Sequence, residues 1–389
     1  MTKKSSAFSS IAIMSIFFLT MAVGAITPAI NTIMQAFPTL SVSTIYMVST
    51  LPSLLAIPAT LIAGMLAGNK VKYKILASVG IVLFIIGGVA PAFADSFTVI
   101  LIERAVFGIG IGIISPLGNA LVLGTYGDDK RAKMLGIGTV VMNVGGIVMQ
   151  LLCGAMASIS WEYAFYPHLL GILSLVAVIF FLPEPEKMEL PEGAEKQKVE
   201  VPRIVWLIAV LFGLVTWMFY PVLMGMSTLL SNLNFGNATT AGLVLSCFTL
   251  GGMIAGMFFS TVYKLTKRFV IAFALLLMAV GIMLVIYSGS IGLITVGVIM
   301  MGMSVSLITP ALFMIIGMIA SPEAFPMSVS ITMAMFSAFA FAYTYESALI
   351  QKITGDALMA PMFVAMILTI VGCVAFIFIN PFPKPKNLE

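Results

Sequence analysis

The chain has 389 residues, of which 61% are hydrophobic and only 9% charged, with 19 Lys and Arg against 15 Asp and Glu for a net charge of +4. Soluble domains carry about 25% charged residues, so there is too little polar surface here to cover a water-facing globule. A cytosolic enzyme, a disordered chain and a nucleic-acid binder are excluded on that ground.

A helix crossing about 30 Å of hydrocarbon needs roughly 20 mostly apolar residues. Twelve such stretches follow one another, at 11–36, 44–68, 75–94, 97–124, 134–157, 163–183, 204–230, 239–263, 269–288, 291–319, 326–350 and 360–382. The pattern predicts an all-α membrane protein of twelve transmembrane helices. The first stretch follows Lys3 and Lys4 and contains Val23-Gly24-Ala25, a small-residue run of the kind that ends a signal peptide. Eleven further spans favour a retained first helix.

Short loops rich in Lys and Arg resist translocation. If the N-terminus is cytoplasmic, every Lys and Arg falls in an inner segment except Arg104, inside the fourth span, and Lys352, outside. The expectation is a multi-pass protein of the inner or plasma membrane with both termini cytoplasmic. The positive charge is then a topology signal and needs no anionic partner. The longest polar stretch, Glu184 to Pro202, holds six glutamates and three prolines. It reads as a solvated linker, so the predicted organisation is a six-helix bundle at 1–183, a linker at 184–203 and a second six-helix bundle at 204–389. Cys153, Cys247 and Cys373 each lie inside an apolar run and have no metal-binding spacing, so they read as packing residues.

Self-similarity at half-chain spacing supports the two bundles. Pro28 corresponds to Pro221, and Ile62-Ala63-Gly64-Met65 recurs as Ile254-Ala255-Gly256-Met257. Gly108, Gly110, Gly112, Ser115 and Pro116 of the fourth span correspond to Gly302, Ser304, Ser306, Thr309 and Pro310 of the tenth. The offsets agree to within two residues, as a duplicated six-helix unit requires. Such halves place a substrate site near the midplane.

The segment from Gly64 to Lys74 resembles the inner-loop signature of the major facilitator superfamily of secondary transporters through Gly64, Leu66, Ala67 and Lys72. Gly68 stands where that signature carries an Asp. The fourth span resembles the same superfamily's Arg-x-x-x-Gly-x-Gly pattern through Arg104, Gly108 and Gly110. In the fifth span, Gly146, Gln150, Leu151, Gly154 and Ala155 occupy the register of a drug/proton-antiporter motif but lack its Pro. The resemblance implies two pseudo-symmetric six-helix halves, alternating access, a gating role for the Gly64 and Lys72 loop, and an Arg involved in proton coupling.

Ionisable groups in hydrocarbon face a wet cavity or pair with one another. Four lie in the drawn spans: Glu103, Arg104, His168 and Glu346. Arg104 can anchor a substrate carboxylate or control a titrating one through bidentate contacts, or it can serve as a packing residue that bonds a carboxylate or carbonyl. Glu346, flanked by Tyr343 and Tyr345, is a candidate proton carrier or a passive tyrosine-bonded carboxylate. Glu103 points about 100° away from Arg104, and His168, beside Pro167, reads as marking the membrane interface; both are secondary coupling candidates. Further polar and aromatic candidates are Asn31, Ser115, Asn119, Asn143, Gln150, Trp217, Tyr220, Phe339 and Tyr343. A few polar groups among apolar walls suit an amphiphilic organic molecule.

The glycines of the fourth span have no preceding strand and no following Gly-Lys-Ser/Thr, so they read as packing glycines. No metal cluster, nucleophile set or cofactor motif is visible. The sequence therefore points to a monomeric, non-enzymatic carrier of a small amphiphilic compound, with protons and the lipid bilayer as its partners. An organic-anion carrier using Arg104 as counter-ion is the alternative, and a non-transporting membrane sensor is the reading from another class.

Overall fold

The structure is a computed structural model that describes residues 7–68, 70–185, 201–321 and 324–382. Most of the linker read at 184–203 lies outside the described residues. Among them the chain is helical throughout, with one isolated bridge between Ala67 and Val71. The α-helices are α1 Ala7–Thr20, α2 Ile30–Ala36, α3 Val42–Leu66, α4 Tyr73–Val89, α5 Phe97–Thr125, α6 Asp128–Ala157 and α7 Gly171–Phe181. They continue with α8 Arg203–Asn232, α9 Ala238–Met257, α10 Phe259–Thr266, α11 Val270–Tyr287, α12 Ile291–Ile319, α13 Phe325–Thr354 and α14 Met359–Phe378.

Twelve membrane-length spans result, as expected. The first consists of α1 and α2 joined through 3-10 turns at Met21–Gly24 and Thr27–Ala29, and the sixth begins as a 3-10 segment, Glu162–Leu170, before α7. Several boundaries shift by four residues or more, the fifth span for instance starting at Asp128 rather than at 134, and two of the shifts are instructive. The eighth helix stops at Met257 rather than near residue 263, because the chain restarts as the separate α10, which ends where Lys267 adopts φ 49°. Lys352, expected in an outer loop, sits in the last turn of α13, which runs on until Gly355 takes a left-handed φ of 77°.

The chain divides into two compact units, residues 1–195 with 236–246, and residues 196–235 with 247–389. In the first, α5 is the central element. Its glycines let two neighbours reach its backbone: a Cβ on Gly108 would lie 2.5 Å from the Pro52 carbonyl of α3, one on Gly112 2.5 Å from the Ala56 carbonyl, and one on Gly110 2.5 Å from the Phe84 nitrogen of α4. Only glycine permits such approaches, which bears out the packing reading of this run. Phe84, Phe107, Ile111, Ile114 and Leu117 fill the space beside them. In the second unit α11 and α12 meet through Gly281 and Gly297, each facing the other's carbonyl.

Helix starts are capped locally. Ser41 accepts from Thr44 N at 3.2 Å and Ser96 from Val99 N at 3.4 Å. At α14 the Asp356 carboxylate accepts from Leu358, Met359 and Ala360 N–H groups at 2.8, 3.0 and 3.2 Å. The start of α4 is capped from afar, by Glu184 just past the sixth span, whose two oxygens accept from Tyr73 N at 2.7 Å and Lys74 N at 3.2 Å.

Candidate functional site

Proline inside a helix removes the N–H that would bond the carbonyl four residues earlier. Pro52 therefore frees the carbonyl of Val48 in α3. The Arg104 side chain supplies the missing donor, with Nε donating to Val48 O at 2.8 Å. Four residues on, Gly108 lets the α5 backbone settle against Pro52 itself. The Arg-x-x-x-Gly spacing thus grips one irregularity in α3 at two successive turns. A parallel case lies deeper along the same pair: Pro116 frees Gly112 O, and the Thr60 hydroxyl donates to it at 2.9 Å.

Arg104 is fully buried. Its guanidinium carbon lies 4.1 Å from the centre of the Phe107 ring, a favourable cation–π placement. Nη1 and Nη2 have no hydrogen-bond partner among the described residues. Phe107 also meets His168 edge-on, with ring centres 5.0 Å apart, and Phe84 lies 5.5 Å from the same imidazole. Cys153 and His168 are within electrostatic reach of the guanidinium.

His168 corrects an expectation. It is fully buried rather than at the interface, because Gly88 leaves room for the imidazole: a Cβ there would lie 2.7 Å from His168 Cβ. Its Nδ1 pairs with Phe165 O at 2.8 Å. A carbonyl only accepts, so Nδ1 carries a proton, and Nε2 has no hydrogen-bond partner among the described residues. Glu103, on the neighbouring face of α5, is half-buried, and its Oε2 has no partner among the described residues.

A second cluster forms in the other unit. Trp217 Nε1 donates to Phe339 O at 3.0 Å, and the two rings are 5.1 Å apart. Tyr220 meets Tyr343 at 5.9 Å. Phe212, Phe219, Phe248 and Phe336 extend this aromatic wall across α8, α9 and α13. On α13, Phe339, Tyr343 and Glu346 follow at i, i+4 and i+7, which puts them on one face. Glu346 is half-buried and its Oε2 has no partner among the described residues.

The remaining candidates are dispersed. Ser115 donates to Ile111 O at 2.8 Å and Asn143 Nδ2 to Thr139 O at 2.9 Å, so both use polar capacity on their own helices. Gln150 is half-buried with Oε1 unpartnered among the described residues, Asn31 is half-buried, and Asn119 is exposed. Gly64 and Lys72 are exposed. Between them Gly68 adopts φ 71° beneath the Tyr73 ring, a conformation open to glycine and strained for the Asp of the family signature. Sequence reasoning missed Pro52, Val48 and Phe107. The available signal was a proline within a span, which announces an orphan carbonyl in need of a donor.

A family model described as Major Facilitator Superfamily matches residues 12–235. The chain belongs to the major facilitator superfamily. Among curated relatives, the quinolone resistance protein NorA of Staphylococcus aureus (strain MSSA476) is 24% identical over 227 residues, 57% of this chain and 58% of that protein. Multidrug resistance protein 3 of Bacillus subtilis (strain 168) is 28% identical over 141 residues, 35% of this chain and 26% of that one. The matched stretch thus spans little more than half of the first relative. Solved structures share the fold across nearly the full chain. The nucleoside transporter NupG superposes with a TM-score of 0.78 at 10% identity, covering 95% of this chain and 98% of that one. A bacterial homologue of the human lysosomal transporter Spinster gives 0.76 at 17%, covering 99% and 100%, and a D-xylose–proton symporter 0.72 at 16%, covering 98% and 99%. The all-α, twelve-span fold and the multi-pass membrane character follow.

Proposed function

We propose that the chain moves a small amphiphilic organic compound by alternating access between two six-helix halves, coupled to protons, in the manner of a drug or metabolite exporter. The observation that carries this reading is the α8–α13 cluster. Trp217, Tyr220 and Phe339 offer apolar surface with few polar handles over the buried Tyr343, and Glu346, whose Oε2 has no partner among the described residues, lies on the same face of α13. Aromatic walls contribute affinity while sparse polar groups orient the ligand. The matches to a quinolone resistance protein and a multidrug resistance protein favour the same class of cargo.

Proton coupling needs a group whose protonation differs between two conformations. A carboxyl whose Oε2 has no partner among the described residues can take that part. Glu346→Gln keeps the shape and removes the titration. In proteoliposomes with an imposed pH gradient, this variant should lose gradient-driven accumulation yet bind substrate within a few fold of wild type. Unchanged accumulation would refute the assignment and move the search to Glu103 and His168.

The distribution of Lys and Arg supports cytoplasmic termini in the inner or plasma membrane. A cysteine placed at position 264 should resist an impermeant reagent in intact cells, and strong labelling there would invert the topology. The Nη pair of Arg104, without partners among the described residues, favours a second reading, an organic-anion carrier. Arg104→Lys should then lose anionic substrates selectively, because an ammonium cannot reproduce planar bidentate contacts.

A further inference from the structure

The corner between the eighth and ninth spans combines three features. It is cationic: Lys264, Lys267 and Arg268 are all exposed, and no Asp or Glu occurs anywhere between Glu200 and Glu323. It is two-sided: α10 half-buries Phe259, Val262, Tyr263 and Thr266 and exposes Ser260, Thr261, Lys264 and Leu265. It is flanked by bare apolar groups, with Met257 68%, Phe258 60% and Leu265 80% exposed.

Its depth follows from helix geometry. The apolar α11, Val270–Tyr287, spans 18 residues, or about 27 Å at 1.5 Å per residue, which nearly crosses the hydrocarbon by itself. The preceding corner is therefore left at the level of the lipid headgroups. Lys267, with φ 49°, ends α10 and turns the chain into α11.

The equivalent corner of the first half shows what is missing. There the chain just beyond the sixth span returns a carboxylate, Glu184, to the start of α4, beside Lys72 and Lys74. In the second half the chain just beyond the twelfth span returns an aromatic ring instead, Phe382, which packs edge-on against Tyr263 with ring centres 5.6 Å apart. Among the described residues, the second corner has the cations without an acid.

We propose that this corner, Met257 to Phe269, binds the headgroup of an anionic phospholipid. The phosphate pairs with Lys264, Lys267 and Arg268, and the acyl chains lie along Met257, Phe258 and Leu265. The exposed apolar flank is what selects a lipid over a free phosphate or a soluble acidic partner, neither of which would cover it. The inference stands apart from the transport reading and from the orientation of the chain, since anionic lipid is recognised by the same chemistry in either leaflet.

Native mass spectrometry of the delipidated full-length protein, titrated with phosphatidylglycerol or phosphatidylcholine, tests it. Wild type should retain phosphatidylglycerol preferentially, also in the presence of excess inorganic phosphate. Each basic residue near an anionic surface is worth roughly fivefold, so Lys264→Gln/Lys267→Gln/Arg268→Gln should lose on the order of a hundredfold in preference, a drop read against the matched Lys70→Gln/Lys72→Gln/Lys74→Gln control. The single variants, each losing roughly fivefold, carry the test if the triple variant does not insert. Undiminished preference in the variants, an equal loss in the control, or displacement of the lipid by inorganic phosphate would each overturn the proposal.

Discussion

The contact between Arg104 and the carbonyl freed by Pro52 can be isolated energetically. Arg104→Met removes the Nε donor that Val48 O receives at 2.8 Å, and Pro52 cannot replace it. A buried carbonyl stripped of its donor costs about 1–3 kcal/mol. The same substitution removes a guanidinium buried with two unpartnered nitrogens, which acts in the opposite direction. The single variant therefore mixes two effects of opposite sign. Pro52→Ala separates them, because alanine restores the backbone N–H that closes the helical bond to Val48 O. The Gly108 contact survives, since it is made to backbone atoms of residue 52. Arg104→Met should then cost about 1–2 kcal/mol less in the Pro52→Ala background than in wild type. Reversible unfolding by SDS in mixed micelles, measured for the four proteins of the cycle, gives the difference directly. A coupling below about 0.5 kcal/mol, the level at which independent sites simply add, would refute the reasoning.

Thr60→Val, which strands Gly112 O, should destabilise by about 1–3 kcal/mol in the same assay, with Thr60→Ser retaining most of the wild-type stability. Gly108→Ala forces a Cβ to 2.5 Å from Pro52 O, whereas a Cβ on Gly64 meets nothing within 4 Å; size-exclusion profiles should show loss of monodisperse protein for the first and none for Gly64→Ala. Asp356→Ala leaves three N–H groups at the start of α14, those of Leu358, Met359 and Ala360, uncapped and should cost about 0.5–2 kcal/mol, with faster amide exchange confined to residues 358–360.

The twelve spans were legible because only length and apolarity decide whether a helix crosses a bilayer. Their internal irregularities were not. Apolar residues from 11 to 36 satisfy a straight helix as well as the broken one formed by α1, α2 and the turns between them. His168 was misplaced because Pro167 suggests an end, while the 3-10 segment Glu162–Leu170 tolerates that proline and carries the imidazole into the packed interior. For Arg104 the sequence announced a buried cation but not its acceptor. That acceptor arises from a proline far earlier in the chain and becomes visible only when each proline is traced to the carbonyl it releases. The aromatic residues of α8 and α13 were individually visible, and their mutual packing required the fold.

Pro28 and Pro221 mark the same point of the internal repeat, yet the chain treats them differently. Around Pro28 the first span gives up α-helical winding over Met21–Gly24 and Thr27–Ala29, whereas α8 passes Pro221 as one continuous helix of 30 residues. A 3-10 stretch in mid-helix often marks a hinge. The repeat is therefore uneven along its length: the weak point of the first span lies at residues 21–29, where the α-helical ladder is interrupted, whereas the seventh span carries its proline within one unbroken helix.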